Sequence, residues 1–155
     1  MRLEYFQMID RIESVDRDVP AIVALATVPT ESTVFEGHFP GFPIMPGALL
    51  LETMAQTSGW LLLAMNGLAR MPFFAGVKRG KFRSFVAPGT QLRATARLVH
   101  DGSGFSVTEA EISVDGRPVC DSELTFRVVD FPAEALLREM RATAVRIGLP
   151  GVVAA

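Results

Sequence analysis

One stretch of the chain, from Gly37 to Gln56, holds the residue types that could carry out acid–base chemistry. It reads GHFPGFPIMPGALLLETMAQ, a loop rich in proline and glycine that runs into a long apolar segment. The loop contains His38, and histidine is the side chain best suited to proton transfer near neutral pH. The alternative for this residue is a histidine that simply packs within a loop.

The apolar segment carries a single acid, Glu52, within the run LLLETMAQ. Burial disfavours the charged form of a carboxyl, so an acid in such surroundings needs a partner or a function. The alternative to a catalytic acid is a carboxylate satisfied by an arginine or by backbone donors. Gln56 lies one helical turn later on the same face, where it could orient the acid or satisfy a buried hydrogen-bond demand.

Gly47 is a third candidate because it lies at a predicted helix start. The free N–H groups of a first helical turn, together with the helix dipole, can bind an oxyanion or polarise a carbonyl. A plain helix start is the alternative. A base, an acid and a carbonyl-polarising helix end would together suit removal of a proton α to a carbonyl, with loss of a β-leaving group.

The elements that must position these residues are predicted from periodicity and turn signals. The central one is a helix from Pro46 and Gly47 to about Asn66, apolar on most sides and therefore expected to be buried all round. Strands are predicted at 5–14, 21–28, 73–86, 91–99, 105–114 and 118–129, a polar linker at 29–35, and an amphipathic helix at 132–147. Asp115-Gly116 is a strong hairpin signal. The order predicts an α+β domain with an antiparallel sheet around one long helix.

Composition narrows the class of protein. The 155 residues fit one domain, and the mean hydropathy of +0.30 suggests apolar surface covered by a partner subunit. A net charge of −2 gives no basic field of the kind that favours nucleic acid. Cys120 is the single cysteine, so neither an intrachain disulfide nor a metal cluster is indicated.

The N-terminal residues lack the apolar core of a signal peptide, and a cytosolic (cytoplasmic) location is expected. The segment 48–65 is about as long as a membrane-spanning helix. Glu52 and Gln56 within it would be costly against lipid, so a helix buried in protein is favoured.

The motif HFPGFPIMPG, followed by LLLETMAQ, resembles the signature of the β-hydroxyacyl–acyl-carrier-protein dehydratases of fatty-acid synthesis, FabZ-type. FQMIDRIESVD resembles the first strand of that family, GKFRSFVAPGTQL its central strand and following turn, and VDGRPVCDSEL its last hairpin. The resemblance covers about 5–129. It implies the hot-dog fold, with residues 1–131 as the dehydratase domain and a helical tail at 132–155 that is part of the same domain.

By this resemblance, His38 is the catalytic base, Glu52 is the catalytic acid, and the Gly47 N–H polarises the thioester carbonyl. The implied reaction converts a (3R)-3-hydroxyacyl chain on the phosphopantetheine of acyl carrier protein to the trans-2-enoyl thioester, in fatty-acid or related acyl or polyketide biosynthesis. No metal or organic cofactor is implied. Glutamate at position 52 resembles the branch that dehydrates without isomerising the double bond. The family places the histidine and the acid on different subunits, which implies a homodimer or a trimer of dimers.

Two further sets of residues are predicted to bind the substrate and the carrier protein. Met54, Trp60 and Leu61 would line part of an acyl tunnel, with plain core packing as the alternative. The basic run Lys78, Arg79, Lys81 and Arg83 would dock the acidic carrier protein, with a solvated strand face as the alternative.

The chain also departs from the family pattern. The family's N-terminal helix is not evident, the tail after Pro132 is longer than usual, and Lys78 stands where the family often has aspartate. These departures favour a specialised relative. The alternative functions are a hot-dog thioesterase or enoyl-CoA hydratase, and a non-catalytic acyl-binding or assembly subunit.

Overall fold

The computed structural model describes residues 1–152. A short 3-10 helix at Leu3–Tyr5 precedes the main elements. These are, in chain order, β1 (Arg11–Asp16), β2 (Ala21–Thr27), α1 (Thr33–Gly37), α2 (Gly47–Met65), β3 (Arg70–Phe82), β4 (Gln91–Gly102), β5 (Phe105–Val114), β6 (Arg117–Asp130) and α3 (Glu134–Arg146).

Helix α2 is the centre of the molecule, and strands β2 to β6 all contact it. Its apolar side chains are buried on most sides, as the sequence predicted. The buried polar residues of the helix have partners: the Thr57 hydroxyl donates to the Thr53 carbonyl oxygen, and the Ser58 hydroxyl accepts from Thr108 on β5, each at 2.8 Å. Because these buried hydroxyls have hydrogen-bond partners, the free-energy cost of removing them from water is offset.

The sheet has six antiparallel strands in the order β1-β2-β4-β5-β6-β3. The strands β2 and β4 turn small residues towards α2, including Ala24, Ala94 and Ala96, which are almost fully buried. Small side chains on the inner face bring the sheet close to the helix and keep the core densely packed. The predicted α+β fold with one wrapped helix is confirmed.

Strand β3 forms one edge of the sheet, because it pairs with β6 alone. Its register shifts between Phe74 and Gly76 and again between Lys78 and Lys81, where Arg79 takes a positive φ of 56°. Most of the strand is exposed in the single chain, including the large apolar side chains of Phe73, Phe74, Val77 and Phe82. An edge strand with an apolar exposed face is a surface that another chain can cover.

Helix α3 packs its inner face onto the rest of the domain. Ala144 and the following Ile147 and Leu149 belong to the buried core. The Ile147 carbonyl oxygen accepts a hydrogen bond of 2.7 Å from the Ile12 N–H on β1. The amphipathic helix predicted at 132–147 is confirmed within the bounds Glu134–Arg146.

Three predicted segments differ most from the structure. The first strand begins at Arg11 rather than residue 5, because the chain first makes the 3-10 turn and Phe6 takes a φ of 52°. The linker at 29–35 contains the start of α1, which Ser32 caps and which the Glu4 carboxylate stabilises by accepting from Ser32 Oγ at 2.6 Å. The strand predicted at 73–86 instead runs from Arg70 to Phe82. Val86 lies outside the sheet, where its carbonyl oxygen accepts a hydrogen bond from the Met45 N–H.

Within residues 1–152, no helix is both long and apolar enough to cross a membrane. The segment 48–65 therefore matches the interpretation of a helix buried in protein, because α2 is enclosed by the sheet.

Candidate active site

The loop that holds His38 is fixed at both ends. The His38 N–H, directly after α1, donates to the Val34 carbonyl oxygen in the first turn of that helix, and the N–H of buried Met45 donates to the Val86 carbonyl oxygen at 2.7 Å. Between these points, Phe39 and Phe42 exchange two backbone hydrogen bonds of 3.1 and 2.9 Å across a tight turn in which Gly41 has a φ of 74°. The glycine allows this left-handed turn, and the result is an ordered loop.

The hydrogen bonds of His38 define which ring nitrogen is free. Nδ1 lies 3.0 Å from the Ile44 carbonyl oxygen, and the His38 carbonyl oxygen accepts from the Ile44 N–H at 3.0 Å. A carbonyl oxygen can only accept, so Nδ1 carries the proton of the neutral ring. Nε2 then has an unprotonated lone pair, which is what a general base requires.

Gly47 is the first residue of α2, directly after the cap residue Pro46. Its N–H belongs to the first helical turn and has no intrahelical acceptor. The Phe82 ring lies over this position, 3.5 Å from where a Cβ would sit. The helix start therefore offers a free donor beside an aromatic side chain, a suitable arrangement for a carbonyl oxygen.

Glu52 lies one and a half turns into α2 and is half-buried. Gln56 Nε2 donates to Glu52 Oε1 at 2.8 Å. The same amide is anchored to the N-terminal segment, because Nε2 also donates to the Phe6 carbonyl oxygen at 2.6 Å and Oε1 accepts from the Met8 N–H at 3.2 Å. Gln56 therefore both satisfies backbone groups and orients the acid, and Glu52 Oε2 has no hydrogen-bond partner among residues 1–152.

A cavity of about 360 Å³ opens beside Glu52, between α2, the start of β3 and α3. Glu52 and Gln56 lie in its wall with mainly apolar neighbours. The apolar residues of the wall include Phe6, Trp60, Leu63, Phe73, Phe74 and Phe126. The polar side chains of the wall also include Gln7 and Arg146. A mainly apolar cavity with a few polar groups in its wall is the usual form of a site for an apolar ligand with a reactive end.

His38 does not line this cavity in the single chain. Its own surroundings are open: Phe39, which stacks on the imidazole at 4.2 Å between ring centres, is about half exposed, and Phe42 is 63% exposed. The predicted base of the chain thus lies outside the cavity that contains its predicted acid.

The other predicted site residues fall into two groups. Trp60 lines the cavity, whereas Met54 and Leu61 are fully buried in the core and lie outside its wall. Among the basic residues, Arg79 donates to Glu123 at 2.8 Å, Lys78 lies 3.5 Å from the same carboxylate, and Arg83 pairs with Asp121. The hydrogen bond from Arg79 is the main reason that the pKa of Glu123 is lowered. Lys81 has no carboxylate within ion-pair distance in the described part of the chain.

Sequence reasoning missed the backbone partners of this site and one wall of the cavity. The Ile44 carbonyl and the Phe6 and Met8 backbone groups act through the main chain, which leaves no signal in residue type. Met140 and Thr143 of α3 line the cavity, but their spacing indicated only an amphipathic helix.

Comparison with known proteins identifies the family. The model of the FabA-like domain matches residues 2–123. The 3-hydroxyacyl-[acyl-carrier-protein] dehydratase FabZ of Streptococcus sanguinis is 39% identical over 122 residues, which cover 78% of this chain and 86% of that protein. The protein of the same name from Streptococcus mutans is 38% identical with the same coverage.

Solved structures share the fold at lower identity. AziG of S. sahachiroi superposes with a TM-score of 0.65 at 17% identity, covering 83% of this chain and 96% of that one. A hypothetical thioesterase from Streptococcus pneumoniae gives 0.61 at 17% identity, covering 79% and 88%. These structures define the class as the hot-dog fold. The chain belongs to the FabA-like family, and the resemblance found in its motif is confirmed.

Proposed function

We propose that this protein is a 3-hydroxyacyl-[acyl-carrier-protein] dehydratase that converts a (3R)-3-hydroxyacyl thioester to the trans-2-enoyl thioester and water. The observation that carries the proposal is the Glu52–Gln56 pair, anchored in the wall of an apolar cavity. The relatives that bear this name are 38–39% identical over most of the chain. The reaction as proposed needs no metal or organic cofactor, and a cytosolic location is part of the proposal.

His38 is the proposed base. Its Nε2 takes the proton from the carbon next to the thioester carbonyl, and the Ile44 carbonyl stabilises the imidazolium that forms through its bond to Nδ1–H. The electron pair of the broken C–H bond moves towards the thioester carbonyl. The Gly47 N–H at the positive end of α2 binds the oxygen that gains negative charge.

Glu52 is the proposed acid. Gln56 holds Oε1, so Oε2 is the oxygen that gives its proton to the departing hydroxyl group. The C–O bond breaks, the C–C double bond forms, and water leaves. Gln56 is a positioning residue in this mechanism, since it acts through Glu52.

One complete site requires two chains in this proposal. His38 lies outside the cavity that contains Glu52, and apolar side chains on the neighbouring β3 edge are exposed. Pairing of two β3 edges would cover those side chains and bring the His38 loop of one chain to the Glu52 cavity of the other. Closed twofold symmetry makes two equal sites, in a homodimer or within a trimer of dimers.

Carrier-protein docking and the acyl tunnel belong to the same proposal. Lys81 is the strongest docking candidate of the basic run, because Arg79 and Arg83 already pair with carboxylates. Trp60 is the strongest tunnel candidate, because Met54 and Leu61 face the core. Lys81→Glu should lower kcat/KM for the carrier-protein substrate while a pantetheine thioester is turned over as before.

The test is an enoyl-thioester assay with purified protein. We expect 3-hydroxyacyl-carrier-protein to be converted to the enoyl form, and crotonyl thioester to be hydrated in the reverse direction. The free thiol is measured in parallel, because a thioesterase would release thiol without forming enoyl product. Thiol release without dehydration would overturn the proposal.

A further inference from the structure

We propose that helix α3 is a specificity wall that sets the upper limit on the acyl chain this site accepts. Met140, Thr143 and Ile147 of this C-terminal region line the cavity that contains Glu52. Helix α3 spans Glu134–Arg146, outside the residues 2–123 that match the FabA-like domain. The inference rests on the proposed function, since it assigns the cavity to the acyl chain of that substrate.

The opposite wall of the cavity is one face of α2. The residues Glu52, Ala55, Gln56, Gly59, Trp60 and Leu63 follow one another at helical spacing and all line the cavity. From Glu52 to Leu63 the helix rises roughly 16 Å, at about 1.5 Å per residue. The polar pair lies at one end of this stripe and apolar side chains lie at the other, which matches a thioester end followed by a hydrocarbon chain.

Gly59 supports the assignment of a channel along α2. It lies in the interior of a helix, where glycine is less favourable than alanine because of its backbone freedom. A methyl group at this position would meet only Pro72 Cγ, at 4.0 Å. Packing therefore does not require glycine here, and the space above it belongs to the cavity.

Helix α3 is firmly held, which makes it a wall rather than a loose cover. Its C-terminal end is tied to β1 by the hydrogen bond from Ile12 N–H to the Ile147 carbonyl oxygen, and Ala144 is fully buried. Met140 and Thr143 are only half-buried, so the cavity is the space in front of them. Their size therefore determines how far an acyl chain can extend.

Trp60 gives a direct measurement of occupancy, because it is the only tryptophan of the chain and lines the cavity. Its fluorescence is titrated with butyryl-, octanoyl- and palmitoyl-pantetheine as probes. Thr143→Phe should weaken binding of the longest accepted probe by at least about tenfold while butyryl binding changes little, because extra methylene-sized groups in an apolar pocket discriminate on that scale. The matched control is Ala142→Phe, the neighbouring residue on the other side of α3, which lies in a separate groove.

Two further variants keep the test decisive if Thr143→Phe does not fold. Met140→Ala should move the binding optimum towards longer probes. Gly59→Ala should raise the melting temperature by about 2–4 °C from helix propensity and still weaken binding of long probes. A purely structural role of Gly59 would change the melting temperature alone.

Unchanged chain-length profiles in folded Thr143→Phe or Met140→Ala protein would overturn the inference, and so would an equal change in the Ala142→Phe control. These outcomes are separate from the test of the reaction. Probe binding does not require dehydration. If the protein shows no dehydratase activity but its probe binding still depends on α3, the dehydratase proposal is rejected and the proposal that α3 limits the acyl chain stands.

Discussion

Glu52 is hydrogen-bonded to Gln56 in the wall of a cavity, whereas around His38 much of the neighbouring surface is exposed. The acid is held by Gln56, which is in turn tied to the Phe6 and Met8 backbone. The imidazole is oriented by the Ile44 carbonyl, but Phe39 and Phe42 beside it are not covered. The surroundings of Glu52 are therefore largely complete within one chain, whereas those of His38 are exposed, which fits the proposal that a second chain covers them.

This difference fits the proposal that one short motif supplies both the base and the acid of the reaction. Fourteen positions separate His38 from Glu52, and a helix start lies between them. The loop leaves His38 outside the Glu52 cavity, while α2 places Glu52 in the cavity wall opposite α3. Substitutions at His38 and at Glu52 should therefore have different effects on turnover.

The largest effect is expected for His38→Ala. Removal of the general base should lower kcat by about 10³–10⁴-fold with little change in the melting temperature, because the imidazole is only half-buried. Hydration of crotonyl thioester and thermal unfolding measure the two quantities. Near-normal turnover by the folded variant would remove His38 from the mechanism.

Glu52→Gln should lower kcat by about 10²-fold, because the amide cannot donate an acidic proton. It can still accept from Gln56, so substrate binding and the stability of the domain should be retained. The matched comparison is Glu36→Gln, an exposed acid on α1, which should leave kcat unchanged. A loss confined to KM would contradict the acid role.

Val77→Lys should weaken self-association, by about tenfold or more in the dissociation constant. Val77 is 51% exposed on the β3 edge, and in the proposed pairing of two β3 edges a lysine there would bring like charges together across the interface. Val99→Lys is the control, since Val99 is 48% exposed on β4, away from that edge. Light scattering at a series of concentrations distinguishes the two, and equal effects would place the interface elsewhere.

The last prediction concerns no step of the reaction but the buried thiol of Cys120 on β6, the strand next to β3. Burial is the main cause that raises the pKa of the Cys120 thiol to about 12. The folded pKa of Cys120 lies above the unfolded one, so the stability that depends on a protonated thiol is fully present below about pH 8.5. That stability is lost as the pH rises towards 12. At pH ~8, iodoacetamide should react with the native thiol at least about 100-fold more slowly than with the unfolded chain. Equal rates would show that the core opens readily.

Much of the fold could be predicted from the sequence, because its signals are local and strong. The apolar run after Pro46 predicted α2 to within a residue at each end, and the Asp115-Gly116 turn predicted the β5–β6 hairpin. Helix α1 was missed because its 5 residues are too few for a periodic pattern. Ser32 was the one available sign, since serine is a preferred N-cap residue.

The candidate site was predictable in its residue types but not in its layout. The motif named His38, Gly47, Glu52 and Gln56, and the last two proved to be hydrogen-bonded. It could not indicate that Phe6 and Met8 anchor Gln56, because backbone groups are the same in every residue. Nor could it show that α3 closes the Glu52 cavity, since that contact joins residues far apart in the chain.

The most direct test of a site shared between subunits is to mix two inactive variants, His38→Ala and Glu52→Gln. The proteins are unfolded together, refolded and assayed for crotonyl hydration, with each variant refolded alone as the control. Random pairing makes half of the dimers mixed, and each mixed dimer has one intact site, so about a quarter of the wild-type activity should return. A mixture that associates but stays as inactive as its components would show that both residues of a site belong to one chain.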